Sequence, residues 1–191
     1  MAPSTWLVLL GAYLLGSIPF AYIVTRLVTG ADIRELGDGN MGAKNTYLSV
    51  GRLPGVVVGV ADVGKGALAV VLAGSLGVSE GTVYWAGASA VLGHDFPVFL
   101  GFRGGQGMAA MIGVFGVLFP HELVLSMAAL AVAFLLTRNW NLSCAIGFIL
   151  LPTLMWLGGQ PTRRVLYPIL LLPTIGLSKL LQEFQARRAA A

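Results

Sequence analysis

Trp6-Leu-Val-Leu-Leu-Gly-Ala-Tyr-Leu-Leu-Gly-Ser-Ile-Pro-Phe-Ala-Tyr-Ile-Val-Thr25 carries no charge and reaches the roughly 20 residues that a helix needs to cross a bilayer. It lacks the basic leader and the small-residue cleavage site of a secretory signal, so the sequence predicts a retained transmembrane helix over Trp6 to Thr25. The rest of the chain has the same character. Of its 191 residues 57% are hydrophobic and 10% charged, against about 25% charged in an average soluble domain. A closed barrel would need alternating segments of about ten residues, which are absent. The expectation is an all-α polytopic membrane bundle forming a single domain over residues 1–191. The one cysteine, Cys144, lies in an apolar run and rules out an internal disulfide or a cysteine-based metal site.

Beyond the first stretch the apolar runs are Pro54 to Val78, Gly81 to Leu100, Met108 to Phe119, Leu123 to Leu136, Leu142 to Leu157 and Val165 to Leu181, which predicts about seven helices. Met108 to Phe119 is short enough to be a half-membrane helix. Glycine supplies 26 residues. Gly55-Val-Val-Val-Gly59 and Gly77-Val-Ser-Glu-Gly81 have the small-xxx-small spacing of closely approaching helices. With seven crossings Arg26, Arg34, Lys44, Arg52, Arg103, Arg138, Lys179, Arg187 and Arg188 fall on one side, and Arg163 and Arg164 on the other. The positive-inside rule then places the N-terminus outside, and the C-terminus on the cytoplasmic face of the plasma (inner) membrane.

Two glycine-rich, charge-bearing loops interrupt this oily chain: Gly37-Asp-Gly-Asn-Met-Gly-Ala-Lys-Asn45 and Gly101-Phe-Arg-Gly-Gly-Gln-Gly-Met108. The same topology opens both to the cytoplasm. Irregular backbone is tolerated at membrane depth only where protein buries it or it lines a polar cavity. Successive glycines let neighbouring N–H groups converge on one anion, and a following helix adds its positive dipole end. The candidate phosphate-binding residues are therefore Gly37, Asp38, Gly39, Asn40, Gly42, Lys44 and Asn45 in the first loop, with Arg103, Gly104, Gly105, Gln106 and Gly107 in the second. A tight interhelical turn whose basic residues snorkel to lipid headgroups is the competing reading.

Polar residues also sit where polarity is expensive. Asp62 and Lys65 lie one helical turn apart inside an apolar run, spaced to pair, either as a neutralised structural pair or as part of a site. His94 immediately precedes the second loop, where an imidazole serves as a base or an anion ligand. Asp62, Lys65 and His94 are the candidate catalytic residues.

Gly16-Ser-Ile-Pro19, Asp32-Ile-Arg-Glu35 leading into the first loop, Asp62-Val-Gly-Lys-Gly66, and Gly93-His-Asp-Phe-Pro-Val-Phe-Leu-Gly-Phe-Arg-Gly-Gly-Gln-Gly107 together resemble the bacterial acyl-phosphate:glycerol-3-phosphate acyltransferases, in order and spacing over residues 10–145. The resemblance implies a seven-helix inner-membrane fold with cytoplasmic loops. It also implies transfer of an acyl group from acyl phosphate to glycerol 3-phosphate, giving lysophosphatidic acid for phospholipid synthesis. Carried over, Gly39, Asn40, Gly42, Asn45, Gly104, Gly105 and Gly107 would cradle phosphate while Asp62, Lys65 and His94 shape the pocket. The chain departs from the family's usual residues: Asp38 stands for serine, Lys44 for threonine, Leu48 for arginine and Gln106 for lysine. Thr137-Arg-Asn-Trp-Asn141 replaces a Thr-Arg-Tyr-x-Ser pattern. Pro173 to Arg188 offers no clear counterpart of the family's C-terminal His, Asn and Arg motif.

The expected partners are acyl phosphate and glycerol 3-phosphate, or related phosphorylated small molecules, together with membrane lipids. No cofactor, metal ion or nucleic acid is expected, and the oligomeric state is open. Two alternatives stand beside the acyltransferase: a paralogue that binds phosphate or lipid without turnover, and, more weakly, a small anion transporter.

Overall fold

The computed structural model describes residues 4–189, and among them there are helices but no strands. Nine α-helices follow in order: α1 (Thr5–Gly16), α2 (Phe20–Thr29), α3 (Ala43–Ser49), α4 (Arg52–Ser75), α5 (Glu80–Asp95), α6 (Met108–Leu118), α7 (Pro120–Thr137), α8 (Trp140–Leu157) and α9 (Thr162–Ala189). Five stretches are long and apolar enough to cross a membrane: Thr5–Thr29, Arg52–Ser75, Pro120–Thr137, Trp140–Leu157 and Thr162–Gln182. The other two expected crossings are shorter. At about 1.5 Å per residue, α5 with 16 residues and α6 with 11 fall below the roughly 30 Å of a hydrocarbon core. The side chains of Arg187 and Arg188, which entered the charge count above, lie outside the described residues.

The first apolar stretch is not the single helix expected over Trp6 to Thr25. It breaks at Ser17-Ile18-Pro19 into α1 and α2. Proline has no N–H to give and disfavours helix in the residue before it, so Ser17 closes α1 through its own N–H and Oγ, both donating to Tyr13 O. A second addition is α3, a short helix that grows out of the first glycine loop.

The chain forms two compact units, Met1–Val114 with Thr174–Ala191, and Phe115–Pro173. In the first, α1, α4 and α5 meet over a core of small side chains: Val8 and Ala12, Ala69 and Ala73, Ala86 and Ala90. Lipid offers no hydrophobic drive to press helices together, so close van der Waals contact between small residues takes its place. A Cβ at Gly16 would overlap the backbone of Ala90, and one at Gly66 that of Ala110. The pair Gly55 and Gly59 fulfils its expected role by receiving α3, against Tyr47 and Ala43. Gly77 and Gly81 do not pack helices. Gly77 has φ +67° and ends α4 in the left-handed region, with no atom close enough to meet a side chain. A second cluster, Ala21, Ile33, Met41 and Val58, pins the first loop to α2 and α4.

The second unit contains the α7–α8 hairpin. Its turn is Thr137-Arg-Asn-Trp-Asn141, with Arg138 left-handed (φ 54°) and Asn139 Oδ1 accepting from Leu142 N at 3.1 Å. Gly147 of α8 admits Leu130 of α7, and Phe115, Phe119 and Tyr167 meet in tilted and edge-to-face contacts at ring distances of 6.2–6.3 Å.

Candidate active site

The break in the first span sets up the site. Lys65 of α4 reaches it and donates from Nζ to Ile18 O at 2.9 Å. The same Nζ lies 2.9 Å from Asp62 Oδ1, and His94 Nδ1 at the end of α5 lies 3.5 Å from that oxygen. All three side chains are at most 5% exposed. The ammonium also sits 5.7 Å from the centre of the Phe20 ring. A buried charge needs a partner of opposite sign, and Asp62 and Lys65 supply that to each other, as their spacing predicted, with Lys65 also hydrogen-bonded to Ile18 O. A pocket opens here, lined by Ser17, Ile18, Phe20, Met41, Asp62, Lys65, His94 and Gly105 among others. The structure therefore brings the three expected catalytic residues together with one glycine of the second loop.

The second loop is threaded against the end of α5. Gly105 N donates to His94 O at 3.1 Å, and Tyr13 Oη donates to Phe96 O at 2.7 Å. A side chain at Gly104 would collide with the His94 and Asp95 carbonyl oxygens, and one at Gly105 with His94 Nε2. Gly107 (φ +68°) lies directly on the Asp95 carboxylate. On the loop's other side Gln182 of α9 donates from Nε2 to Gly104 O at 2.9 Å and to Gly105 O at 3.1 Å.

The first loop spends much of its polarity on itself. Asn45, buried, donates to Leu36 O at 2.9 Å and Asn40 O at 3.0 Å, and accepts from Asp38 N and Ser49 Oγ. Asp38 Oδ1 accepts from Asn40 N at 3.0 Å, and Gly39 N donates to Leu36 O. Three successive N–H groups, expected to converge on an anion, thus turn to acceptors within the loop. Each has its own acceptor: Asn45 Oδ1 takes the Asp38 N–H, Leu36 O the Gly39 N–H, and the Asp38 carboxylate closes an Asx turn on the Asn40 N–H. A Cβ at Gly37 would strike Asn45 and Ser49. Lys44 and Arg103 are exposed and Gln106 is half-buried. None of the three lines the pocket described above, to which the first loop contributes Met41.

Arg34 forks onto Asp32 with N–O distances of 2.6–3.1 Å and stacks on Tyr22. The hydrogen-bonded guanidinium holds the Asp32 carboxyl below the usual carboxylate range. A carboxyl whose folded pKa is depressed stabilises the folded form above its unfolded pKa, about 3.9, and that support is lost as pH falls through the folded value. Amide exchange in residues 32–36 is therefore expected to stay protected from neutral pH down to about 4 and to accelerate below it. Asp32→Asn should flatten that acid response, and an identical response in the variant would count against the assignment.

Sequence reasoning missed Ile18 O, Tyr13, Met41 and Gln182. Gln182 lies between Lys179 and Glu183 at the polar end of α9, where one more polar residue draws no attention. The Tyr13 hydroxyl, a polar group in an apolar helix, left a signal that was available, whereas Ile18 and Met41 act through backbone or shape and leave no such mark.

A multi-pass helical membrane protein that buries an acid, a base and an imidazole beside a glycine-rich turn has the equipment to handle a charged substrate at the lipid boundary. The chain matches the glycerol-3-phosphate acyltransferase family over residues 6–184. It is 43% identical over 177 residues to glycerol-3-phosphate acyltransferase 4 of Dehalococcoides mccartyi, covering 92% of this chain and 95% of that one. A Synechococcus glycerol-3-phosphate acyltransferase is 42% identical, with 86% and 82% covered. The crystal structure of PlsY (YgiH), an integral membrane glycerol 3-phosphate acyltransferase, in its glycerol 3-phosphate form superposes with a TM-score of 0.85 at 30% identity, over 98% of this chain and 94% of that one. This chain belongs to the glycerol-3-phosphate acyltransferase family.

Proposed function

We infer that this chain is a membrane glycerol-3-phosphate acyltransferase acting as one domain, that its acyl donor is an acyl phosphate, and that its product is lysophosphatidic acid. The observation that carries the reading is the buried Asp62–Lys65–His94 cluster closed by Gly105, within a family of that activity. An acyl phosphate is already activated, so no acyl-enzyme is needed. The glycerol hydroxyl attacks the carbonyl carbon, a C–O ester bond forms, the C–O bond to phosphate breaks, and the hydroxyl proton leaves with inorganic phosphate. The protein's task is to align two anionic reactants and oppose the charge that develops. Two of the three Lys65 donors are engaged by Asp62 and Ile18, which leaves one for an anion in the pocket. Gly105, at the pocket, and Gly42, Gly104 and Gly107 beside it are assigned to phosphate, with Lys44, Arg103 and Gln106 reaching it from outside the pocket, while Gly37, Asp38, Gly39, Asn40 and Asn45 fix the first loop's shape. Both loops face the cytoplasm of an inner-membrane protein with its N-terminus outside, as the distribution of basic residues favours.

The test is direct. Protein purified in detergent is given acyl phosphate and glycerol 3-phosphate, and phosphate release and lysophosphatidate are measured. Product no higher than in a protein-free control would sink the catalytic reading and leave binding without turnover. Gln106 stands where the family usually has lysine, and a charge-assisted contact to phosphate contributes about 1.5–3 kcal/mol. Gln106→Lys is therefore expected to raise turnover by about 10-fold or more. Unchanged turnover would mean that the side chain at 106 does not face phosphate.

A further inference from the structure

We propose that Gln182, near the end of α9, is a positioning residue that sets the direction of the second loop's N–H groups. The geometry is specific. Gln182 Nε2 donates to Gly104 O at 2.9 Å and to Gly105 O at 3.1 Å. In a planar trans peptide the C=O and the following N–H point in opposite directions. The peptide joining Gly104 to Gly105 is therefore gripped at both ends, its oxygen by Gln182 and its N–H by His94 O at 3.1 Å. The next peptide has its oxygen on Gln182 as well, so the Gln106 N–H is turned away from α9. Glycine at 104 and 105 makes this a device and not an accident of packing. Without side chains these peptides rotate readily, and something outside the loop has to choose their orientation.

The loop is held at one further point. Gly107 rests on the Asp95 carboxylate, which is buried at the end of α5. The loop is thus fixed by α9 through Gln182 and by α5 through His94 O and Asp95, and it touches the pocket through Gly105. Resting on the acyltransferase reading above, the role assigned to Gln182 is to present the Gln106 N–H to an anionic oxygen of the substrate, as a preorganised donor. Gln182 itself touches no substrate in this scheme.

Three variants separate donation from packing. Gln182→Met keeps the length and removes the donors. Gln182→Glu keeps the shape and sets an acceptor against two acceptors. Gln182→Lys restores N–H donors on a flexible stem. With acyl phosphate and glycerol 3-phosphate as probes, Met and Glu are expected to lower kcat by about 10-fold with a smaller change in KM, and Lys to recover most of it. Amide exchange at Gly105, which needs no turnover, is expected to accelerate in the Met and Glu variants and to return in Lys. Unaltered exchange at Gly105 in the Met variant overturns the clamp. Accelerated exchange with kcat within twofold of native overturns its role in the reaction. If native protein shows no turnover, the acyltransferase reading falls and the catalytic role of Gln182 falls with it, while exchange at Gly105 still decides whether the clamp exists.

Discussion

Lys65→Met is expected to be the most destabilising single change in the first unit, at about 3–5 kcal/mol, because removing one partner of a buried ion pair strands the other. The Asp62 carboxylate, 2% exposed, would keep only the more distant His94 imidazole at 3.5 Å. The loss is not confined to the pair. Ile18 O accepts from the same ammonium and from Phe20 N at 3.2 Å, so it would keep its local donor and lose the tie to α4. The thermal midpoint in detergent should fall by roughly 10 °C. Removing both charges in Asp62→Asn/Lys65→Met should recover part of that, since the stranded carboxylate goes with its partner. A midpoint within about 2 °C of native for Lys65→Met, on the scale of a sub-kcal/mol effect, would show that water or lipid headgroups already reach the pair.

Gly105→Val is expected to abolish turnover, by about 100-fold or more, with the helices intact. The added Cβ would occupy the place of His94 Nε2. The ring is hemmed in, 5% exposed and with Asp62 on its Nδ1 side, so the loop has to yield instead. A displacement of about 1 Å at a positioned group is worth roughly that factor in rate. Gly74→Ala provides the comparison: this helical glycine of α4 has open space beyond it, and its replacement should leave turnover and midpoint near native. Turnover within a few-fold of native for Gly105→Val would mean that the second loop takes no part in the reaction. Phosphate release in the same detergent assay gives both numbers.

The apolar runs and the Asp62–Lys65 spacing were legible because both express helical period, which one residue's neighbours in sequence determine. The break at Ser17-Ile18-Pro19 was legible as a motif but not as a break. An apolar run with one proline still reads as a span, and the acceptor it frees matters only because Lys65 arrives from 47 residues away. Gln182 is harder still, with its two acceptors 77 and 78 positions back along the chain. Glycine spacing misled in one case. Gly55 to Gly59 and Gly77 to Gly81 are the same pattern, yet one receives a helix and the other ends one. Asp38 shows a further limit, since a carboxylate in a glycine loop reads as a charge set before the substrate while its structural task is to close a turn.

The break in the first span also imposes an order on synthesis. A chain emerging from the ribosome delivers α1 and α2 well before Lys65, and during that interval Ile18 O has no ammonium to accept from. Phe20 N, two residues on, already donates to that carbonyl at 3.2 Å, so the bend does not need α4 to satisfy its backbone. What α4 adds later is the ammonium, and with it the acid partner 2.9 Å away. The break is a shape the first span can hold by itself, and the pocket it lines acquires its charges only from a helix made afterwards.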